Sequence, residues 1–224
     1  MNTKFFDAIR AGDRDEVEHL LLLDTSLVHA KEKGLGPVLV AAYHLEPGLA
    51  DFLADKTVTL NIFEASAIGR TTHLVRLLAR KPELVNAFAD DGFQPLGLAC
   101  FFGHLESADY LVRAGASVNM PSNNGLHATP LQSAVAGGHA PIVKMLLNSG
   151  AQPNVRERGG ITPLHTAAAH GDAESIQLLI LAGADLHLRN DEGKLPLHLA
   201  EEKGHIRAVE ILKREITKRF RVTA

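Results

Sequence analysis

Twelve histidines and one cysteine are the residues best able to do chemistry in this chain. Imidazoles could hold a metal or pass a proton, and a thiol could attack a substrate. Their spacing argues against each. His165 and His198 lie 33 residues apart and occupy the same place in two copies of a Pro-Leu-His motif. Copies of a stacked helical unit sit roughly 8–10 Å apart, too far for two imidazoles to share a zinc ion bound at about 2 Å. His104, His139 and His205 each follow a glycine at a matching place, and a structural role is expected for all five. His170 differs, because it falls at the end of an inner helix and is expected on an open face. Cys100 has no base in a recognisable motif nearby, and its place suits buried packing. The pairs Gly137-Gly138 and Gly159-Gly160 lack the Gly-x-x-x-x-Gly-Lys-Ser/Thr pattern of a phosphate loop. No catalytic residue, metal ligand or cofactor is expected, and the chain does not read as an enzyme.

The elements that must position these residues follow from a recurring signature. It reads Gln94-Pro95-Leu96-Gly97, Thr129-Pro130-Leu131-Gln132, Thr162-Pro163-Leu164-His165 and Leu195-Pro196-Leu197-His198, with proline spacings of 35, 33 and 33. Alanine follows each proline by four residues (Ala99, Ala134, Ala167, Ala200) and glycine by eight (Gly103, Gly138, Gly171, Gly204). A period near 33 means stacked helix–turn–helix units. Thr caps a helix, Pro suits its first position, and the glycines end helices where left-handed backbone is needed.

This pattern resembles the ankyrin repeat family, and stand-alone bacterial ankyrin repeat proteins in particular. Thr162-Pro163-Leu164-His165, Ala167-Ala168, Gly171 and Leu181-Ala182-Gly183-Ala184-Asp185 lie close to the family consensus. The resemblance implies an all-α repeat solenoid of about seven stacked helix-turn-helix units with β-hairpin-like fingers. It also implies a concave face whose contact positions lie five, four and two residues before the proline, and six and seven after it. Those offsets place Asp90, Asp91, Phe93, Phe101 and Phe102 in the fourth unit, Tyr43 and His44 in the second, and Arg158, Ile161 and His170 in the sixth. Three of nine phenylalanines at such offsets suggest an apolar hot spot around Phe93, Phe101 and Phe102. Truncating Phe93 and Phe102 is then expected to remove partner capture with little change in melting temperature.

The phase has two departures. Unit origins fall at about 4, 37, 61, 95, 130, 163 and 196, so the second unit is shortened. Too few residues remain before Asn61 for a finger, which is expected to be missing or reduced to a tight loop. The extra residues before Pro130 predict a longer finger carrying Leu126 and His127 near its tip. The chain divides into an N-terminal capping unit (1–33), a shortened unit (34–60), regular units (61–192) and a C-terminal capping unit (193–224), within a single solenoid. The last helix is charged, and its basic run from 213 to 221 reads as a solvated cap.

A net charge of −3 implies no general attraction to nucleic acid or membrane. One cysteine excludes a disulfide framework, no long apolar run opens the chain, and a cytoplasmic setting is the default. The expected function is a protein-interaction module, an adaptor, inhibitor or scaffold that binds another protein through its concave face as a monomer. Two alternatives stand beside it. One is a small-molecule-binding or regulatory protein using Tyr43, His44, Glu46 and Asp51 at the short unit, and the other is a secreted effector acting on a host protein.

Overall fold

The computed structural model describes residues 1–57 and 59–222, with side chains as far as Lys218. It is all-helical, and no strand occurs among the described residues. The chain divides into two compact units, Met1–Ala114 and Gly115–Ala224. Each is a stack of helix pairs of the repeat-solenoid type.

The first unit holds four pairs: α1 (Asn2–Arg10) with α2 (Arg14–Leu23), α3 (Pro37–Tyr43) with α4 (Pro47–Lys56), α5 (Ile62–Ala67) with α6 (Thr71–Arg80), and α7 (Pro95–Phe101) with α8 (Leu105–Arg113). The inner helices α1, α3, α5 and α7 pack one on the next. Phe5, Phe6, Ile9, Leu53, Ile62, Leu74, Leu96, Leu98 and Leu111 are fully buried. Each such side chain contributes about 1.5–3 kcal/mol of burial. The second unit holds α9 (Pro130–Ala136) with α10 (Ala140–Asn148), α11 (Pro163–His170) with α12 (Ala173–Leu181), and α13 (Pro196–Glu202) with α14 (Ile206–Val222). Its core includes Leu131, Ile142, Leu146, Leu164, Ile176 and Leu179.

The repeated residues act as their types dictate. Proline opens α3, α7, α9, α11 and α13 at the first turn. Thr129 and Thr162 accept the N–H groups of Gln132 and His165, closing the helix starts. Gly171 ends α11 in left-handed backbone at φ 69°. Leu45 holds the corresponding place after α3 and takes φ 59°, although it carries a side chain. Left-handed backbone costs a non-glycine residue roughly 1–2 kcal/mol.

Both departures in phase are visible. Helix α4 ends at Lys56 and α5 begins at Ile62, with Asn61 serving as the cap, the part that Thr129 and Thr162 play one residue before the proline of α9 and α11. No hairpin lies between them among the described residues. The longer finger closes through Ser122 N–H to the Ala128 carbonyl, and its tip carries Leu126 and His127, both exposed, with His127 at φ 56°.

The ends are polar. In α14, Lys213 pairs with Glu201, and Arg214 and Lys218 both pair with Glu215. The side chains at the far end of the 213–221 basic run lie outside the described residues. No described helix is long and apolar enough to cross a membrane.

Candidate functional site

The missing finger reorganises one side of the first unit. The finger at 31–36 is a tight hairpin in which Glu32 and Leu35 exchange backbone hydrogen bonds, with Lys33 and Gly34 both at positive φ. Its other end is tied down by an ion pair between Arg10 and Glu32. The next finger closes where Ala89 N–H meets the Phe93 carbonyl at 2.9 Å, and Asp91 Oδ1 accepts the Phe93 N–H at 3.1 Å. With no finger between them among the described residues, the two fingers meet. Lys31 Nζ lies 3.7 Å from Asp90 Oδ2. A methyl group on Gly34 would fall 2.5 Å from that same oxygen, so only glycine allows the approach.

Aromatic side chains gather beside this closure. Tyr43, at the end of α3, donates its hydroxyl to Asp91 Oδ2 at 2.7 Å. Its ring lies 5.5 Å from that of Phe102, and Phe102 meets Phe101 edge-on at 5.1 Å. Burial, with the Asp91 bond adding to it, pushes the Tyr43 phenol well above its ordinary range, so it stays a neutral donor. Phe93, Phe102, Tyr43, Phe63 and Leu35 pack half-buried against Leu39, Ala42, Ala67 and Leu98. Phe101 is 37% exposed.

The rings therefore do not play one part. Phe93 and Phe102 are seated on the core, so truncating either removes packing as well as surface, contrary to the sequence-based expectation of little change in melting temperature. Phe101 is the ring of the three that stands out. Asp90 and His44 are exposed. Phe63 joins this region, and Phe88 is 41% exposed on the same finger as Asp90, although neither occupies one of the offsets used above. The Phe63 place could have been read from Asn61-Ile62-Phe63-Glu64, whose Asn-x-x-Glu spacing marks a helix start.

The remaining sequence candidates lie in the second unit. Leu126, His127, Arg158 and His170 are exposed, and Ile161 is half-buried. Arg158 N–H donates to the Leu126 carbonyl at 2.9 Å, so the long finger is paired to its neighbour. Glu157, beside them, has its carboxyl pushed up to about 7 by burial.

The polar set suggested for a ligand at the short unit does not converge. Tyr43 turns to Asp91, Glu46 lies against Gly12, and Asp51 pairs with Arg70 at 2.8 Å. The histidines of the motif bond within and between repeats. His165 reaches Thr162 Oγ1 at 2.8 Å and the Lys194 carbonyl at 3.1 Å, while His104 and His205 reach the carbonyls of Ala67 and Ala169. Cys100 is fully buried, and burial pushes its thiol far above the range of a reactive thiolate. No cluster of His, Cys, Asp and Glu able to hold a metal occurs among the described residues.

Comparison with known proteins agrees with the geometry. The model for ankyrin repeats (3 copies) matches residues 62–157 and 131–221. The mouse ankyrin repeat and SAM domain-containing protein 6 is 37% identical over 103 residues, 46% of this chain and 11% of that protein. The Caenorhabditis elegans ankyrin repeat and KH domain-containing protein mask-1 is 27% identical over 170 residues, 70% of this chain and 6% of its own length. The Drosophila melanogaster E3 ubiquitin-protein ligase Ufd4 is 38% identical over 78 residues, 35% of this chain and 3% of that protein. The chain thus spans about a tenth or less of each of these relatives. With helix pairs, fingers and capped Thr-Pro starts all in place, and the family model spanning more than half its length, the chain belongs to the ankyrin repeat family.

Proposed function

We propose that this chain is a protein-interaction module that binds a partner protein through the finger and inner-helix face of its first unit, and acts by occupancy as adaptor, inhibitor or scaffold. Ankyrin repeats are in general protein-binding modules, and this chain carries their architecture. The observation that favours the first unit is the aromatic group at the closed fingers. Tyr43, Phe93 and Phe102 form a half-buried base, Phe101 stands out from it, and Phe88 is exposed on the same finger as Asp90, with Asp90 and His44 as polar neighbours. Rigid aromatic anchors surrounded by polar groups are the usual composition of binding hot spots. Leu126, His127, Arg158, Ile161 and His170 form a second candidate surface on the other unit.

Phe101→Ala is the cleanest probe, because that ring is the least embedded of the three. Affinity capture from the native cell, comparing wild type, Phe101→Ala and Arg158→Ala, should show partner loss in the first variant alone, with melting temperatures close to wild type. Equal capture by wild type and Phe101→Ala would reject the first-unit face.

A further inference from the structure

Glu64 is a buried acid that repeat stacking does not account for. It sits three residues after the Asn61 cap, the place that Gln132 and His165 hold in the second unit. Those two side chains each do two things. They accept the N–H of the capping residue, and they donate forward to the next finger: Gln132 Nε2 to the carbonyls of Val155 and Ile161, and His165 Nε2 to that of Lys194. A carboxylate can do only the first. Glu64 Oε2 accepts the Asn61 N–H at 3.1 Å, while Oε1 has no hydrogen-bond donor among the described residues.

Glu64 lines a cavity of about 320 Å³ beside the finger at 31–36. Leu35, Leu39 and Phe63 supply apolar walls, His29 and Asn61 polar ones, and the Lys31–Asp90 pair also lines it. Glu64 itself is only 7% exposed. Its backing is the finger backbone, since a methyl group on Gly36 would overlap Oε1. It forms no ion pair among the described residues. Lys31 and His29 act on it only through their charge, and Lys31 is paired at the surface with Asp90. Burial disfavours the charged form and raises the Glu64 carboxyl above its ordinary range, and a fitting cation would hold it ionised.

We propose that this cavity binds an organic cation, an ammonium or guanidinium group on a short apolar stem, with Glu64 as its counter-ion and Leu35, Leu39 and Phe63 around the stem. The same chemistry comes from a free amine or from a lysine or arginine side chain of a bound polypeptide. The inference stands apart from the partner-binding face and does not rest on it.

The test is an NMR titration of the full chain with n-butylammonium, n-butylguanidinium and the blocked peptide acetyl-Gly-Lys-Gly-amide, with n-butanol and butyrate as controls. The cations should shift backbone resonances at 29–36 and 61–64, and the controls should not. Glu64→Gln should weaken cation binding at least tenfold. Glutamine keeps the cap acceptor and the size of the side chain, as Gln132 does, so folding should be preserved, and a thermal melt checks it. Gly36→Ala, whose backbone at φ −80° accepts any residue, should also weaken binding while leaving the charge in place. Binding of the peptide but not the free amines identifies a polypeptide side chain as the source, and the reverse identifies a small molecule. Equal binding by Glu64→Gln and wild type, equal shifts from butanol, or no binding of any cation would overturn the proposal.

Discussion

In the second unit the same bond is made at each step. Arg158 N–H reaches the Leu126 carbonyl, and 33 residues on Asp191 N–H reaches the Gly159 carbonyl, both at 2.9 Å. A second ladder runs through Asn119 and Asn154, each of which bridges to the N–H and carbonyl groups of the following repeat. In the first unit the two fingers are joined instead by the side chains of Lys31 and Asp90, and the end of α3 is tied to the second of them by Tyr43 to Asp91. The finger-to-finger rungs of the second unit use backbone groups and depend little on which residues carry them, and its asparagine bridges recur with the repeat, so both serve stacking. Side-chain bridges need particular residues, and they bring an aromatic group and a buried acid to one place. The irregular unit is therefore where recognition is best sought, and the regular one where stacking is most uniform.

The difference can be broken most forcefully at a rung of the ladder. His165 is fully buried and serves both its own helix start and the next finger. His165→Ala should cost about 3 kcal/mol, from the cavity and the carbonyl and cap left unpaired, measured by urea unfolding. Tyr43→Phe removes the bridge of the first unit while keeping the ring. It should cost about 1.5 kcal/mol, the scale of a hydrogen bond to a charged acceptor, and should speed hydrogen exchange at 89–93. A loss larger than that of His165→Ala would show that the side-chain bridge, not the repeated rung, carries the greater share of stacking.

Two smaller effects sharpen the contrast. Leu45, 76% exposed and in left-handed backbone, holds a place that glycine fills in the regular repeats. Leu45→Gly should raise stability by about 0.5–1 kcal/mol, since relief of the left-handed strain exceeds the added freedom of the unfolded chain. Glu157 gives the smallest effect. Its folded carboxyl, raised by burial to about 7, binds protons more tightly than the ordinary 4.5. Its contribution is fully present below 4.5 and lost as pH rises toward 7, because the folded state holds the proton that the unfolded state has released. Glu157→Gln should flatten the pH dependence of the melting temperature over that window relative to wild type.

Much of the fold was legible because the repeated residues act locally. Thr, Pro and Gly set caps, first turns and left-handed ends from their own backbone chemistry, wherever the units lie. The missing and lengthened fingers were legible for the same reason, as arithmetic on the period. The site was less so. Tyr43 and Asp91 are 48 residues apart and meet only because two fingers close over an absent third, a rearrangement that the offsets of a regular repeat do not anticipate. The same offsets miss Phe63 and Phe88 and treat Phe93 and Phe102 as surface, whereas the closure seats them on Leu39, Ala42, Ala67 and Leu98. Glu64 was hidden because an acid at the third position of a helix is ordinary. Its significance appears only beside Gln132 and His165, which have a donor to offer the next finger where Glu64 has none.

The central claim is that partner recognition belongs to the irregular unit. Hydrogen–deuterium exchange of the chain with and without its captured partner tests it most directly. The account predicts new protection at 31–36, 42–46, 88–93 and 101–104, with 124–128 and 157–161 unchanged. Protection confined to those second-unit fingers, with the first-unit segments unaffected, would contradict it.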